Sequence, residues 1–405
     1  MPYKTKIAIQ KINNNDIKTA VFKALEMINA QELMENDNKT VLLKPNILMG
    51  KPPERAVNTH PEVVRSVIQW VKQFNPSKIY VCDSSGGQKP GITKLAMKES
   101  GILTVCEEEG VECVPFENTT REQYRVPDPL ELKEFTSSRV IKDADIIINI
   151  PKIKTHWQCM LTCCIKNMFG IILLGNKAKT HAQFPKLDRF HAALTDIYSV
   201  SKPQLTVVDG FFCQEGNGPT QGDVVRLDLI LAGYDGVALD TAVCKIIGFD
   251  PKEVLYLTKA EQKKLGTTNL EDVEILGEKI EDVFHEFKRP KRRSISVPLP
   301  RWLSNYIGDT IFKPTVKFNG KCKLCNTCWS NCPTGAITRP SLFKKVSTPK
   351  WNKKKCIGCY CCVELCPHEA INFKINYVKN AISSWFCIGS ISILILIILF
   401  LMWIF

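Results

Sequence analysis

Several familiar features are missing from this sequence. The last 25 residues, 381–405, contain no charged side chain, and the first residues contain no apolar run of secretory-signal length. The glycine-rich turns Gly86-Gly87 and Gly216-Asn217-Gly218 match neither a P-loop nor a GxGxxG turn. The 18 cysteines are mostly clustered at short spacings and are not spread as in a disulfide framework. We therefore expect no export signal and no standard nucleotide-binding loop, and we expect a reducing compartment with metal-binding cysteines.

Charge is unevenly distributed along the 405 residues. Residues 286–380 contain 19 Lys and Arg but only 4 Asp and Glu, whereas residues 1–285 are close to neutral. This excludes one homogeneous domain and predicts four parts: an α/β domain over 1–285, a basic linker over 286–317, a cysteine-rich domain over 318–376 and an uncharged tail over 381–405. The basic run Lys288–Arg293 in this linker has no interleaved aromatic residues and no DNA-reading helix beside it, so nucleic acid is not an expected partner.

The uncharged tail, residues 381–405, predicts one C-terminal transmembrane helix. A helix of this length spans roughly 37 Å, enough to cross a hydrocarbon core of about 30 Å. Trp385 and Trp403 lie near its two ends, where interfacial aromatic residues are found. The alternative is a buried core helix, but such a helix usually keeps a polar face. Because Lys and Arg precede the tail, the positive-inside rule predicts that residues 1–380 are cytoplasmic and that the basic segment lies near the membrane surface.

Eight cysteines form a repeated motif that indicates iron–sulfur chemistry. Each half has the spacing C-x₂-C-x₂-C-x₃-C-P, as in bacterial two-cluster ferredoxins, in which the fourth cysteine serves the other cluster. Two zinc sites are the alternative, but zinc requires neither a third closely spaced cysteine nor the Cys-Pro pair. The sequence therefore predicts two [4Fe–4S] clusters. The ligands of cluster 1 are Cys322, Cys325, Cys328 and Cys366, and those of cluster 2 are Cys356, Cys359, Cys362 and Cys332.

Two features of this segment depart from the ferredoxin pattern. Cys361 is an extra thiol beside a ligand, and we expect it to be a packed or spare cysteine. The stretch between the two halves, residues 338–355, carries several basic and no acidic side chains. A basic cluster domain favours an acidic redox partner such as a soluble ferredoxin or flavodoxin.

Residues 1–285 alternate short apolar runs with helical patterns, which predicts an α/β fold with a largely parallel sheet. The predicted strands are 6–10, 41–44, 78–82, 111–114, 145–150, 205–209 and 227–232. The predicted helices include 17–29, 61–74, 92–100, 187–200 and 236–247. Polar clusters follow several strands, and open α/β sheets bind ligands beyond the carboxyl ends of their strands. These clusters are Lys44-Pro45-Asn46, Asp83-Ser84-Ser85-Gly86-Gly87, residues 151–156, Asp209-Gly210 and residues 215–219.

These motifs also carry a specific resemblance. With Lys166-Asn167, His181 and Asp235-x-x-Ala238-x-Asp240, they resemble the domain-of-unknown-function 362 family over most of residues 1–285. Members of that family often carry a ferredoxin-type segment afterwards, as here. The family is distantly similar to the lactate racemase superfamily. The resemblance implies an architecture and a set of site positions, and it implies no particular substrate.

The crevice residues predict a site for a small anionic molecule, because four lysines lie on or near it. The candidate binding residues are Lys44, Asn46, Ser84, Gly86, Gly87, Lys152, Asn167, Gly216 and Gly218. The candidate catalytic residues are His156, Lys154, Lys166, His181 and Asp209. The histidines could transfer protons near neutral pH, and Asp209 could orient a Lys or a His. Cys159, Cys163 and Cys164 could hold a metal or a redox pair, although buried cysteines acting as small apolar residues are the favoured interpretation.

Three functional hypotheses follow. The first is a membrane-anchored iron–sulfur oxidoreductase that passes electrons through two clusters to or from a small anionic substrate. The second is a non-enzymatic electron-transfer or iron–sulfur assembly protein. The third is a racemase-like or isomerase-like reaction in which the clusters serve only the structure.

Overall fold

The computed structural model describes residues 5–35, 38–290, 315–340 and 348–374. No helix within these ranges is long and apolar enough to cross a membrane. The transmembrane helix predicted over 381–405 and most of the basic linker predicted over 286–317 lie outside the described residues.

The α/β domain contains twelve strands among the described residues and ten α-helices. The strands are β1 Thr5–Lys11, β2 Thr40–Pro45, β3 Lys78–Val81, β4 Glu112–Cys113, β5 Arg121–Arg125, β6 Glu134–Ser138, β7 Ile146–Ile150, β8 Lys152–His156, β9 Met160–Thr162, β10 Leu205–Glu215, β11 Asp223–Gly233 and β12 Val273–Gly277. The helices are α1 Ile17–Met27, α2 Pro61–Lys72, α3 Ile92–Glu99, α4 Ile102–Glu108, α5 Val140–Asp143, α6 Cys164–Asn167, α7 Asn176–Gln183, α8 Leu187–Val200, α9 Gly236–Ile246 and α10 Leu255–Gln262. Short 3₁₀ helices connect several of these elements.

The main sheet has the strand order β12-β1-β11-β10-β7-β2-β3-β4. The pairs β12–β1, β10–β7, β7–β2, β2–β3 and β3–β4 are parallel, and only β11 runs antiparallel to its neighbours β1 and β10 along this path. The short strand β8 pairs with β10, and β9 pairs with β8. The predicted α/β fold with a largely parallel sheet is confirmed.

Alternate side chains of the central strands enter two different hydrophobic cores, one on each face of the sheet. In β7, Ile147 packs into the core that contains α8 and α9, whereas Ile146 and Ile148 pack into the core that contains α1 and α2. Successive side chains of a strand point to opposite faces, so a strand that is covered on both sides is apolar throughout. This explains why β7 could be predicted from a continuous apolar run.

Strand β8 is one of five strands of the α/β domain that the sequence patterns did not predict; the others are β5, β6, β9 and β12. Its residues, Lys152–His156, are all buried although most are polar or cationic. The segment lacks the apolar alternation of an ordinary strand, and its extended shape depends on pairing with β9 and β10. This strand brings two lysines and one histidine into the interior of the domain.

The cysteine-rich domain consists of two similar halves. It contains strands β13 Thr315–Phe318, β14 Ile337–Thr338, β15 Lys350–Trp351 and β16 Ile371–Lys374, and helices α11 Thr327–Ser330 and α12 Cys361–Glu364. Strands β13 and β16 pair antiparallel, as do β14 and β15. Asn326 and Tyr360 occupy equivalent left-handed positions just before the two helices. The duplicated backbone therefore follows the duplicated cysteine motif.

Candidate functional site

Two cavities in the cysteine-rich domain are each lined by four cysteines. Three of the four come from one motif, and the fourth is the Cys-Pro cysteine of the other motif. The first cysteine cavity is lined by Cys322, Cys325, Cys328 and Cys366. The second cysteine cavity is lined by Cys332, Cys356, Cys359 and Cys362. The structure thus brings together the same two groups of cysteines that the sequence assigned to cluster 1 and cluster 2.

Backbone N–H groups donate hydrogen bonds to the sulfurs in both cysteine cavities. Ala336 N donates to Cys332 Sγ at 3.2 Å, and Ala370 N donates to Cys366 Sγ at 3.3 Å. Gly335, which precedes Ala336, has a φ of +61° that favours glycine. Each cavity combines four sulfurs, a backbone N–H that donates to one of them, and apolar surroundings. These features suit a [4Fe–4S] cluster, so the residues of each cavity fit this group.

The cysteine-rich domain packs onto the crevice side of the α/β domain. Arg55 Nη2 lies 2.9 Å from Glu369 Oε1, and Trp157 stacks on Tyr360 with ring centroids 5.9 Å apart. At Gly86 an added Cβ would lie 2.6 Å from Leu365 Cδ2, so any side chain here would require Leu365 to move. Because the ion pair is partly exposed, it contributes about 0–1 kcal/mol, and the aromatic and apolar contacts contribute most of the remaining stabilisation.

A cavity of about 80 Å³ lies between the two domains, and we call it the interdomain cavity. The loops that follow β2 and β3, strands β8 and β9, and helices α6 and α7 form most of its wall. The remaining wall is formed by Cys361, Glu364 and Leu365 of the cysteine-rich domain. Helix α12 therefore carries Cys362 into the second cysteine cavity and Glu364 into the interdomain cavity.

Lys166 is the cation of this cavity that has no hydrogen-bond or ion-pair partner among the described residues. Its side chain is half-buried on the cavity wall. Its charge lowers the pKa of both His156 and His181, in each case after the larger effect of burial. A half-buried cation without a partner among the described residues is suited to hold an anion.

A second lysine on the cavity wall, Lys154, is held in a polar network. Its Nζ donates to Asn46 Oδ1 and to the Val57 carbonyl, both at 2.6 Å. Asn46 Nδ2 in turn donates to Asn167 Oδ1 at 2.9 Å. Burial lowers the pKa of Lys154 well below its ordinary value, and the Lys166 charge acts in the same direction. We therefore assign Lys154, Asn46 and Asn167 to the framework that shapes this wall.

The two predicted histidines both line the cavity and differ in their contacts. His156 Nδ1 accepts hydrogen bonds from the backbone N–H groups of Gln158 and Cys159, so its Nε2 is the atom that faces Glu364 Oε1 at 3.4 Å. His181 stacks on Phe190 at 4.1 Å between ring centroids. Burial lowers the pKa of His156 well below its ordinary value and that of His181 to about 3, so both rings are neutral near pH 7.

Glu364 is the carboxyl group of the interdomain cavity that the sequence patterns did not single out. Its side chain is 11% exposed, and its Oε1 is buried without a well-aligned hydrogen bond. Burial raises the pKa of Glu364 to about 7, while Lys166 and Lys154 act in the opposite direction. The cavity thus places a cation, two neutral imidazoles and a carboxyl group around one small volume.

Comparisons with known proteins agree with this two-domain organisation. The family described as "Domain of unknown function (DUF362)" matches residues 41–245, and the family described as "4Fe-4S dicluster domain" matches residues 321–370. A thylakoid-associated protein of Synechocystis sp. is 32% identical over 266 residues, which make up 65% of this chain and 80% of the relative. The chain belongs to the DUF362 family. It also carries a 4Fe–4S dicluster domain, so the predicted resemblance is confirmed.

Two solved structures show a remote likeness to this DUF362 chain. The lactate racemase apoprotein of Thermoanaerobacterium thermosaccharolyticum is 13% identical with a TM-score of 0.37, over 57% of this chain and 54% of that chain. A protein from Thermotoga maritima is also 13% identical with a TM-score of 0.37, over 62% and 60% of the two chains. The chain spans only a little over half the length of these structures, and no reaction is inferred from them.

Two of the predicted lysines of the DUF362 domain are neutralised in buried ion pairs. Lys44 Nζ lies 2.8 Å from Asp83 Oδ1, and Lys152 Nζ lies 2.6 Å from Asp209 Oδ2. Asp209 also accepts hydrogen bonds from the backbone N–H groups of His60 and Phe211. Lys44, Lys152 and Asp209 do not line the interdomain cavity. The geometry therefore supports a structural part for the three residues that the sequence placed in the binding and catalytic sets.

The predicted glycines and Ser84 also separate into two groups. Gly86 and Ser84 line the interdomain cavity, whereas Gly87, Gly216 and Gly218 do not. The Gly216 carbonyl and the Gly218 N–H both bond to Thr155 Oγ1, which fastens this turn to β8. Ser84 Oγ accepts a hydrogen bond from the backbone N–H of Leu174. These contacts fix the positions of the loops around the cavity.

A second buried group contains Cys163, Cys164 and Asp240. The two sulfurs lie 3.7 Å apart, and one oxygen of Asp240 lies within 4.8 Å of both. Asp240 accepts the backbone N–H groups of Cys164 and Ile165, at 2.6 and 3.1 Å, and so caps helix α6, which carries Lys166. The carboxylate therefore has a structural task that needs no metal.

Removing the charge of Lys152 should destabilise the DUF362 domain and leave anion binding intact. Lys152→Met would leave Asp209 buried without its partner, and such a loss costs about 3–5 kcal/mol in the free energy of unfolding. Urea unfolding followed by tryptophan fluorescence would measure this loss. If the Lys152→Met protein is stable but no longer binds the anion, Lys152 is a binding residue and not a structural one.

Lys177 and Thr162 are two further cavity residues that the sequence patterns missed. Lys177 Nζ donates to several backbone carbonyls, including that of Ser84 at 2.8 Å. Burial lowers the pKa of Lys177 to about 7. Glu364 was also missed, although its spacing could have indicated its position. Cys361 and Glu364 are three residues apart, so in a helix they lie on the same face.

Proposed function

We propose that this chain is a membrane-associated iron–sulfur oxidoreductase that passes electrons through two [4Fe–4S] clusters to or from a small anionic molecule in the interdomain cavity. One observation carries the proposal: the short helix α12 contributes Cys362 to the second cysteine cavity and Cys361 and Glu364 to the wall of the interdomain cavity. A molecule bound in the interdomain cavity would therefore be separated from the cluster in the second cysteine cavity by little more than helix α12.

The proposed clusters would supply one-electron chemistry when bound, and the chain's own residues would position the anion. Lys166 would hold the anionic group, because it is the cavity cation that has no partner among the described residues. His156 and His181 are buried and neutral near pH 7, so each ring could orient the anion through a hydrogen bond from its N–H. The docked cysteine-rich domain would exclude bulk water from this volume.

Membrane association is part of the proposal. It rests on the uncharged segment 381–405, which has the length and composition of a single transmembrane helix, and on the many basic residues that precede it. The Synechocystis relative is described as thylakoid-associated. We propose that the soluble domains lie on the cytoplasmic side, where the positive-inside rule places basic flanking segments.

The surface of the cysteine-rich domain supports an acidic electron carrier as the redox partner. Its described acidic residues, Glu364 and Glu369, are both turned toward the α/β domain. Lys321 and Lys323 are exposed on either side of Cys322, and Leu324 beside them is 42% exposed. A cationic rim around an apolar residue, next to the first cysteine cavity, is complementary to the acidic surface of a ferredoxin or flavodoxin.

Reversing these two surface charges should slow electron exchange with an acidic carrier. Lys321→Glu with Lys323→Glu would replace attraction by repulsion, and we expect the association rate at low salt to fall by about tenfold or more. Stopped-flow reduction by an acidic ferredoxin would measure it. The matched control is Lys18→Glu with Lys23→Glu on α1, which changes the net charge equally at an exposed distant site. Equal slowing by both pairs would refute a specific docking surface.

The proposed function is tested by anaerobic reoxidation. The full-length protein, purified in detergent and reduced with dithionite, would be mixed with a panel of small organic and inorganic anions. We expect one class of anion to reoxidise the clusters, and we expect this reaction to be lost in Lys166→Met. A protein that is reduced normally but reoxidised by none of the panel would instead support the electron-carrier or assembly role.

A further inference from the structure

Three buried polar atoms around the interdomain cavity have no hydrogen-bond partner among the described residues. They are Thr162 Oγ1, His181 Nδ1 and Glu364 Oε1. An unsatisfied buried polar group costs about 1–3 kcal/mol, and native proteins leave few of them. Three such atoms around one cavity, beside the unpaired ammonium of Lys166, indicate a bound molecule that supplies the missing partners.

The chemistry of these atoms restricts what that molecule can be. Lys166 and the Thr162 hydroxyl can donate hydrogen bonds, and they suit an anionic oxygen. Glu364 Oε1 is suited to accept a hydrogen bond, and His156 Nε2 at 3.4 Å is not aligned to donate one, so a donor on the same molecule suits it. A plain oxyanion would leave Glu364 without a donor, and a neutral alcohol would leave Lys166 without a counter-charge.

The size of the cavity adds a second restriction. The cavity measures about 80 Å³, and a single water molecule needs about 10–15 Å³ on the same scale. The space therefore accepts about six non-hydrogen atoms. The contact between Gly86 and Leu365 closes the wall on the side of the cysteine-rich domain, which disfavours longer molecules.

We propose that the interdomain cavity binds a short-chain carboxylate of about six non-hydrogen atoms that carries its own hydroxyl or amino donor. Its carboxylate lies against Lys166 and Thr162, and its donor faces Glu364. This inference rests on the proposed function in one respect, because both take the interdomain cavity as the anion site. It adds the class of molecule and the residues that select it.

Equilibrium binding to the full-length protein tests this inference. Glycolate carries both groups, acetate lacks the hydroxyl, glycolamide lacks the charge and citrate is too large. We expect glycolate to bind at least tenfold more tightly than each of the other three. Equal affinity for acetate and glycolate would overturn the inference, as would tighter binding of citrate or inorganic phosphate. Binding of none of the probes, with water alone in the cavity, would overturn it as well.

Two variants test whether Thr162 and Glu364 cause the preference for glycolate. Thr162→Val keeps the shape of the side chain and removes its hydroxyl, so we expect weaker binding of both glycolate and acetate. Glu364→Leu removes both acceptor oxygens and should therefore selectively remove the advantage of glycolate over acetate. The matched control is Glu369→Leu, five residues further along the chain and paired with Arg55 outside the cavity, and it should keep that advantage. Iron content measured on each variant checks that the cysteine-rich domain is intact.

The failure of this inference can be distinguished from failure of the proposed function. Tight glycolate binding without any reoxidation of the reduced protein would leave the ligand class standing and remove the oxidoreductase proposal. Reoxidation by an anion that has no donor, or by one too large for the cavity, would support the oxidoreductase proposal and contradict the inferred ligand class. The same protein preparation serves both measurements.

Discussion

Replacing Cys362 by alanine is expected to remove one of the two proposed clusters, whereas replacing the adjacent Cys361 is expected to keep both. Cys362 lines the second cysteine cavity, and Cys361 lines the interdomain cavity. We expect Cys362→Ala to lower the iron content from about eight to about four atoms per chain, because a [4Fe–4S] cluster requires four protein ligands. Cys361→Ala should keep about eight.

Iron and acid-labile sulfide analysis of anaerobically purified protein would measure this difference. The two variants are neighbours on one short helix and lose the same atoms, so general damage to the fold would affect them alike. Equal loss of iron in Cys361→Ala and Cys362→Ala would contradict the assigned ligands. Cys361→Ala is also expected to leave the interdomain contacts of Arg55 and Trp157 in place, since Arg55 pairs with Glu369 and Trp157 stacks on Tyr360.

Lys166→Met is expected to weaken anion binding by about 10- to 100-fold with little change in stability. A hydrogen bond to a charged group contributes about 1.5–3 kcal/mol, and 1.4 kcal/mol corresponds to a tenfold change in affinity. Because Lys166 has no hydrogen-bond or ion-pair partner in the described part of the chain, its removal leaves no buried carboxylate unpaired. The free energy of unfolding should therefore change by no more than about 0.5 kcal/mol.

The combination of lost binding and retained stability separates Lys166 from Lys152. Isothermal titration with glycolate and urea unfolding on the same samples would measure both quantities. Lys179→Met is the matched control, because Lys179 is exposed and lies outside the interdomain cavity. Unchanged glycolate affinity in Lys166→Met would show that the anion is held elsewhere.

The sequence predicted the fold well where the local pattern and the final environment agree. The apolar run of β7 and the helix that begins at Pro61 were both found, because burial on two faces and an N-terminal proline leave clear signals. The cysteine spacing predicted which sulfurs lie together, because short loops fix their positions. These features depend on nearby residues and can be read without knowing the tertiary structure.

The composition of the anion site could be predicted only in part, because it depends on the contact between two domains. Lys154, Lys166, His156 and His181 were expected to lie in one crevice and do line the interdomain cavity. No local pattern distinguishes Lys166, which has no partner in the described part of the chain, from Lys152, which is neutralised by Asp209. The pairing partners of these lysines come from distant strands and become visible only after folding.

The measurement that most directly tests the account is EPR of the dithionite-reduced, full-length protein during titration with glycolate. We predict iron–sulfur signals from two reduced clusters, with a spectral change that saturates as glycolate fills the interdomain cavity and that is absent in Lys166→Met. A protein that holds zinc in place of iron would contradict this account. So would an iron–sulfur spectrum that stays unchanged while glycolate binds.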